Sequence, residues 1–302
     1  MRKRTIWLAV SSLLAAACGV QEYHPNTPSV YLSAAGCLQS NQDNLYTTGG
    51  YAIRYLTIAT GDPALPPWWE GGATAIHADW QPNDPYLGQG FEGAVAFEVA
   101  ERLGFDDEDV RFVPVGFRDS FAPGDKDFDF ALQQIAVLPD RMKGVELSDG
   151  YYDVSQALVS VQGSPIAAAS SLDELTDASL GAPMDTASLR YVEEGIRPNI
   201  EPTVYEDLTA AVRGLRDGEV DGIVVDLPSA SFVADERIPK GVLVGQLPDT
   251  GPQDRFAMAF EKGSPIVQCV DLALKEMRDD GTLDEIRREW LADATDAPLI
   301  DG

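Results

Sequence analysis

Apolar positions along the chain fall into short β-branched runs and longer stretches with helical spacing. The run LTIAT, Leu56 to Thr60, stops at Gly61, Asp62 and Pro63, which reads as a strand ended by a turn. In GFEGAVAFEVAERLGF, Phe91, Val95, Val99 and Leu103 recur every four residues and Gly104 supplies a C-cap, predicting an amphipathic helix. VRFVPV and FDFALQQIAV read as further strands. Strand, helix, strand in that order points to a parallel sheet with helices on its faces. A second unit follows Tyr152: DVSQALVSVQG alternates as a strand, SLDEL is a short helix, LGAPM a strand, and TASLRYVEEG a helix capped by Asp185 or Thr186. LTAAVRGLRDGEV sets Leu208, Ala211, Val212 and Leu215 on one helical face, and the strand GIVVD comes after it. RFAMAFEKG then reads as a strand before two helices, the last carrying Leu283, Ile286 and Trp290 at helical spacing. The pattern predicts two α/β lobes, with no repeat short enough for a solenoid.

Composition sharpens this picture. Of 302 residues, 44% are hydrophobic, enough for one or two domains with a real core and too apolar for a disordered chain. Asp+Glu number 49 against 22 Lys+Arg, a net charge of -27. Such a polyanion repels phosphate backbones and anionic headgroups, so nucleic acid is excluded as a partner, as is electrostatic docking on a membrane. The acid excess fits either adaptation to high salt or a solubility margin. With only His24 and His77 available, a His-rich metal site or a nucleophile-His pair is hard to assemble. Neither a metal nor a cofactor is expected.

The N-terminus reads as an export signal over residues 1–17. Arg2, Lys3 and Arg4 precede an apolar run from Ile6 to Ala17, 12 residues, against the ~18 needed to span a bilayer. Its small residues end in Cys18, and the segment resembles a bacterial lipoprotein signal, which implies lipidation of Cys18 as the mature N-terminus. One departure is Ala15, where such signals usually carry Leu; here Leu14 stands one place earlier. The alternative is cleavage after Ala17 without lipid. Removing the three basic residues takes the charge from -27 to -30. Residues 18–53 are Ser, Asn, Gln, Thr and Gly with no sustained period, as suits a tether. Cys37 in this stretch and Cys269 in a predicted helix are the only non-lipid cysteines of the exported chain. They either pair as a disulfide or remain one buried and one exposed thiol, and sequence separation does not decide between these.

LTIATGDPALPPW, GFEGAVAFEVAERLG, the LPDRMKGVELSDGYY run, RDGEVDGIVVD and DDGTLDEIRREWL occur in the order and spacing of bacterial extracellular solute-binding proteins of the polar amino-acid type, family 3. The resemblance covers about residues 54–292 and implies an α/β, two-lobe periplasmic-binding-protein fold of type II. In that fold each lobe is a mostly parallel sheet flanked by helices, and two strands form a hinge. Residues 54–150 and 250–292 would build lobe 1, residues 151–249 lobe 2, and residues 293–302 a tail. The implied role is a monomer that captures an amino acid or similar small zwitterion in the interlobe cleft and delivers it to the membrane permease of an ABC importer. Its location is periplasmic or cell-surface, with membrane contact only through the lipid anchor.

The residues themselves suit a zwitterion. Arg141 follows a predicted strand, and its guanidinium offers a planar fork that matches a carboxylate; it aligns with the family's carboxylate-clamping arginine, against the plain reading of a surface salt bridge. Asp226 ends GIVVD and aligns with the acid that holds the ligand ammonium, while locally it reads as a helix N-cap before Pro228. Phe117 aligns with the stacking aromatic, Trp68 sits where relatives carry an aromatic after paired prolines, and either reads otherwise as core packing. Thr186 stands at a helix start where relatives bind the carboxylate through hydroxyls and backbone N–H groups. Asp62, Gln133 and Gln134 complete the expected ligand set. Gln133, Gln134 and Ala136 replace the Ser or Thr donors of relatives, and Leu65 replaces a tyrosine, so side-chain specificity does not transfer. A long loop with Trp69, His77, Asp79, Trp80, Asp84 and Tyr86 reads as an aromatic lid at the cleft mouth. A metal site from His77, Asp79 and Asp84 has a single nitrogen ligand. The competing class is an exported dehydratase on the same fold, which needs a cleft acid with a pKa shifted toward neutrality; Glu70 and Glu92 are the candidates, and both read as solvated.

If Cys18 is lipidated, Cys18→Ser should release the protein from membranes, because acyl burial at ~0.8 kcal/mol per CH₂ is the only strong attachment this polyanion has. Fractionation of cells expressing the variant reads this out, and unchanged membrane pelleting contradicts the anchor.

Overall fold

The computed structural model of the chain describes residues 33–40, 54–72, 80, 82–251, 253–292 and 297–302. The export signal and Cys18 lie outside the described residues, as do His24, His77 and Asp79.

Two five-stranded sheets carry the fold. The first combines β1 (Leu56–Thr60), β2 (Val110–Pro114), β3 (Phe130–Ala131), β4 (Glu146–Leu147) and β12 (Ala259–Phe260) in the order β2-β1-β3-β12-β4. The second combines β6 (Gln156–Val161), β7 (Leu180–Pro183), β8 (Thr203–Tyr205), β9 (Gly222–Asp226) and β10 (Gly241–Gln246) in the order β10-β6-β9-β7-β8. Between them β5 (Tyr152–Val154) pairs antiparallel with β11 (Asp254–Phe256), and the chain passes from one lobe to the other through both strands. The sheets are evenly mixed rather than mostly parallel. β1 runs parallel to β2 and β3, and β7 parallel to β8 and β9. The strands adjoining the hinge enter the other way: β12 is antiparallel to β3 and β4, and β6 to β9 and β10.

Near-continuous apolar strands reflect burial on both faces of the second sheet. Ala157, Val159, Ile223 and Val225 point to one side, against Ala211, Val212 and Leu215 of α5 (Leu208–Asp217) and Ala230 of α6 (Leu227–Phe232). Leu158 and Val224 point to the other, against Leu175, Val192 and Ile196. In the first lobe α2 (Phe91–Leu103) buries the expected Phe91, Val95, Val99 and Leu103 stripe, and Gly104 closes it at φ 91°. This helix packs on α7 (Val267–Asp280) and α8 (Thr282–Trp290).

Three segments depart from the sequence reading. FDFALQQIAV keeps only Phe130–Ala131 as strand, because Gln134 takes φ 49° and turns the backbone out of the ladder. Within the tether, residues 34–40 form a helix, α1, with Ala34, Cys37 and Leu38 buried. Residues 297–302 are no loose tail: Ile300 N–H donates to the Gln246 carbonyl at 2.9 Å, and its side chain joins the core of the second lobe.

Cys37 and Cys269 are joined in a disulfide, Cα–Cα 5.4 Å, that fixes α1 on α7 across 232 residues of sequence. The Ala34 N–H donates to Glu276 Oε1 at 3.1 Å beside it. Closing so long a loop is worth about 2–5 kcal/mol. Cys37→Ser with Cys269→Ser should therefore lower the melting temperature by about 4–20 °C, at about 2–4 °C per kcal/mol for a large domain. Thermal unfolding without reductant checks this, and equal midpoints would show that α1 is not held by the bond.

Candidate functional site

The interlobe cleft is a cavity of about 400 Å³, within the range of small-molecule sites. Its first wall comes from the C-terminal end of β1, the Gly116–Phe117 turn and residues 133–141; its second comes from the ends of β7 and β9 and the helices that follow them. Strand ends face a crevice here, as in open α/β sheets generally. Asp62, Trp68, Phe117, Gln133, Gln134, Arg141, Thr186 and Asp226, scattered over 164 positions from Asp62 to Asp226, all line this one cavity.

Arg141 is 6% exposed. It starts a one-turn 3-10 helix, Arg141–Lys143, which aims its side chain back over the cleft. Nη1 donates to the Ala136 carbonyl at 2.7 Å, and Nη2 reaches across the cleft to the Asp185 carbonyl of the second lobe. The guanidinium lies over Phe121 at 4.2 Å and Phe117 at 5.3 Å from the ring centroids. No carboxylate among the described residues forms an ion pair with it. Burial away from water consequently pulls its pKa down to about 10.

Asp226 is the opposite charge on the other wall. It ends β9 and caps α6, its Oδ1 accepting from the Ser229 N–H at 2.9 Å. Desolvation raises its carboxyl to about 6, and the Ser229 and Trp68 donors oppose that rise. Among the described residues it pairs with no Lys or Arg, and it does not pair with Arg141.

The lobes also touch directly. Trp68 is 1% exposed and its Nε1 donates to Ser229 Oγ at 2.9 Å across the cleft. Its ring meets Phe91, Tyr152 and Phe256 edge to face, so it is both cleft wall and core. Arg118 of α3 (Phe117–Ser120) pairs with Asp185 at 2.7 Å. Thr186 has its hydroxyl fully engaged, accepting from the Leu189 N–H at 3.1 Å and donating to the Pro183 carbonyl at 2.6 Å; it caps α4 (Ala187–Tyr191). Gln133 is oriented by Ser120, whose Oγ donates to its Oε1 at 2.8 Å. Asp62 is exposed on the rim.

Two expectations are corrected. Glu92 is not solvated: it is 0% exposed, held by Trp69, Gln134 and Tyr151, and burial raises its carboxyl to about 7. It stands behind the cleft wall rather than in it. Glu70 is half-buried and shifted upward by desolvation. The aromatic lid is also absent from Trp80, Asp84 and Tyr86. Trp80 and Asp84 are buried, Asp84 accepts from the Tyr86 N–H at 3.1 Å, and Tyr86 Oη accepts from the Phe112 N–H at 3.0 Å, which ties the segment to β2. Of the described residues expected to form the lid, Trp69 alone lines the cavity. Among the described residues no cluster of three metal-ligating side chains occurs.

Sequence reading missed Thr60, Gln156, Ser188, Glu206 and Ser229, which line the same cavity. Thr60 is buried with its hydroxyl unpartnered, an orphan polar atom on the cleft floor. The signal available for Thr60 and Ser229 was their place, at a strand end and in the first turn of the helix after Asp226.

Known proteins resemble this chain in sequence and in fold. The family description "Bacterial extracellular solute-binding proteins, family 3" matches residues 75–293. The ABC transporter glutamine-binding protein GlnH of Bacillus subtilis is 25% identical over 205 residues, 67% of this chain and 72% of that protein. The arginine-binding extracellular protein ArtP of the same organism is 25% identical over 225 residues, 70% and 83% of the two chains. Among solved structures, the arginine-, lysine-, histidine-binding protein ArtJ of Geobacillus stearothermophilus superposes with a TM-score of 0.62 at 21% identity, covering 79% of this chain and 95% of that one. The ancestral amino acid-binding protein AncCDT-1, a precursor of cyclohexadienyl dehydratase, gives 0.61 at 22%, covering 83% and 98%. These structures share the two-lobe fold. The chain belongs to the bacterial extracellular solute-binding proteins, family 3.

Proposed function

We propose that this protein captures a free amino acid between its lobes and delivers it to the membrane permease of an ABC importer, working as an exported, lipid-anchored monomer. One observation carries the reading: a guanidinium and a carboxylate line the same cavity from opposite lobes, each without an ion-pair partner among the described residues. A ligand bearing both an α-carboxylate and an α-ammonium satisfies each charge and, by touching both walls, ties the lobes together. Breaking a buried charge pair costs more than its formation gains, which makes binding selective for molecules that carry both groups.

An enzyme on this fold is the other reading, and Asp226, raised to about 6 inside the cleft, is the group that supports it. A general acid must reach the reacting atom while free to exchange its proton. Asp226 is instead engaged as a helix cap, and Glu92, the other raised acid near the site, is screened from the cavity by Gln134. We therefore read the protein as non-catalytic. Recovery of a bound amino acid unchanged supports this, and its conversion would overturn it.

Thermal-shift screening of the twenty amino acids identifies the ligand class. Aspartate and glutamate should give the smallest shifts, because Asp62, Glu206, Asp207 and Asp226 already line the cavity against Arg141. Arg141→Ala and Asp226→Asn, the latter keeping the cap, should each weaken binding by about 30-fold to several thousand-fold, equivalent to ~2–5 kcal/mol. Calorimetric titration measures this, and a change under about threefold would remove that residue from the site. Only the ionised form of Asp226 holds an ammonium. Affinity should accordingly be full above pH about 6 and fall as pH drops below it, and Asp226→Asn should lose this dependence.

A further inference from the structure

Behind the first wall of the cleft, Glu92 collects four hydrogen-bond donors and, among the described residues, no cation. Trp69 Nε1 donates to Oε2 at 2.9 Å, the Gln134 backbone N–H to Oε1 at 2.7 Å, the Gln134 side-chain Nε2 to Oε2, and the Tyr151 hydroxyl to Oε1. These donors come from three segments: the loop after β1, the break after β3, and the residue before β5. Trp69 and Gln134 line the cavity, and Glu92 does not. Gln134 also adopts the left-handed backbone, φ 49°, that brings both of its donors onto one carboxylate. An ionised carboxylate only accepts, so Gln134 must turn its NH₂ toward Glu92. The amide is thereby held in one orientation, with its carbonyl oxygen Oε1 and its second N–H left for other partners.

We propose that Glu92 is a positioning residue that sets the site's side-chain selectivity: by taking the backbone N–H and one amide N–H of Gln134 it locks the carboxamide with its carbonyl oxygen toward the ligand, so the cleft favours amino acids whose side chains carry an N–H donor. This rests on the amino-acid reading above and deepens it. The same preference follows from the acidic residues of the lining, Asp62 and Glu206, which offer acceptors on either wall. Burial holds the Glu92 carboxyl near 7, and the four donors favour its charged form, so at pH 8 the group is ionised and the Gln134 orientation fixed. Tyr151, whose hydroxyl is pushed well up by its own burial and by Glu92, stays a donor throughout.

The test is a pair of ratios measured by calorimetric titration at pH 8 on the full mature chain. L-glutamine against L-glutamate and L-lysine against L-norleucine differ mainly in the side-chain donor. Wild-type protein should prefer the donor-bearing member of each pair at least tenfold. In Glu92→Gln the new amide offers its own NH₂, releases Gln134 to flip, and should cut both ratios several-fold. Gln134→Leu should do the same, and the double variant should go no further than either alone, because both act through one carboxamide. A structural role for Glu92 would lower the melting temperature and weaken all four probes equally, leaving the ratios intact. That outcome overturns the proposal, as does an additive double variant. Should Glu92→Gln not fold, Gln134→Leu with Glu92 intact still decides whether the acceptor sets the ratios. If no probe or other amino acid binds, the amino-acid reading falls and takes this one with it. Binding that depends on Arg141 but shows no donor preference removes this inference alone.

Discussion

A buried guanidinium that, among the described residues, hydrogen-bonds only carbonyl oxygens is the constraint on which the rest of the cleft turns. Arg141 sits at 6% exposure, bonded to the backbone of Ala136 in its own lobe and of Asp185 in the other. Neutral carbonyls offset part of the cost of removing a cation from water, and they do not supply the charge that a carboxylate would. The aromatic faces of Phe117 and Phe121 recover a little more through cation–π attraction. In the proposed role an anion from solution supplies that charge. Asp226 poses the complementary demand from the second lobe, and the two requirements together specify a zwitterion more narrowly than either does.

The fold delivers these two charges to one place by chain routing. β5 and β11 are the two strands through which the chain enters and leaves the second lobe, so the sheets can tilt about one short ladder while each keeps its own core. Strand ends from both sheets open toward the crevice this creates. The cross-cleft contacts of Trp68 with Ser229 and of Arg118 with Asp185 join the rims, one buried and one exposed. The buried contact contributes more to closure, since an exposed ion pair is screened by salt and is worth about 0–1 kcal/mol. At the far end of the molecule the Cys37–Cys269 bond and the docked residues 297–302 fasten chain segments onto the first and second lobes respectively.

Much of this was legible in the sequence because local rules governed it. Asp226 closes an apolar run and becomes the end of β9 facing the cleft, and Arg141 follows another and starts a short 3-10 helix beside it. The α2 stripe was visible as a four-residue recurrence with a terminal glycine. Glu92 was not legible. An acid in the first turn of a helix is what the helix dipole favours on any solvated face, and nothing nearby marks it for burial. What buries it comes from Trp69, Gln134 and Tyr151, separated in sequence and brought together only by the tertiary fold. Trp80 and Tyr86 misled in the opposite direction: aromatics in a Pro-rich loop suggested a lid, whereas Trp80 is buried and Tyr86 is bonded to β2. The spacing of Ala34, Cys37 and Leu38 did hold one helical face, yet over a single turn and amid polar residues it could not be told from chance. Residues 297–302 are too short to show any period at all.

Native mass spectrometry is the most direct measurement of the central claim. The protein is incubated with an equimolar mixture of the twenty amino acids, freed of excess, and weighed intact; the bound molecule is then released by unfolding and identified. The account predicts a single amino acid per chain, chemically unchanged, and no adduct when Arg141 and Asp226 are both replaced. A bound molecule lacking either the α-carboxylate or the α-ammonium, a chemically altered product, or an adduct that survives loss of both charges would contradict it.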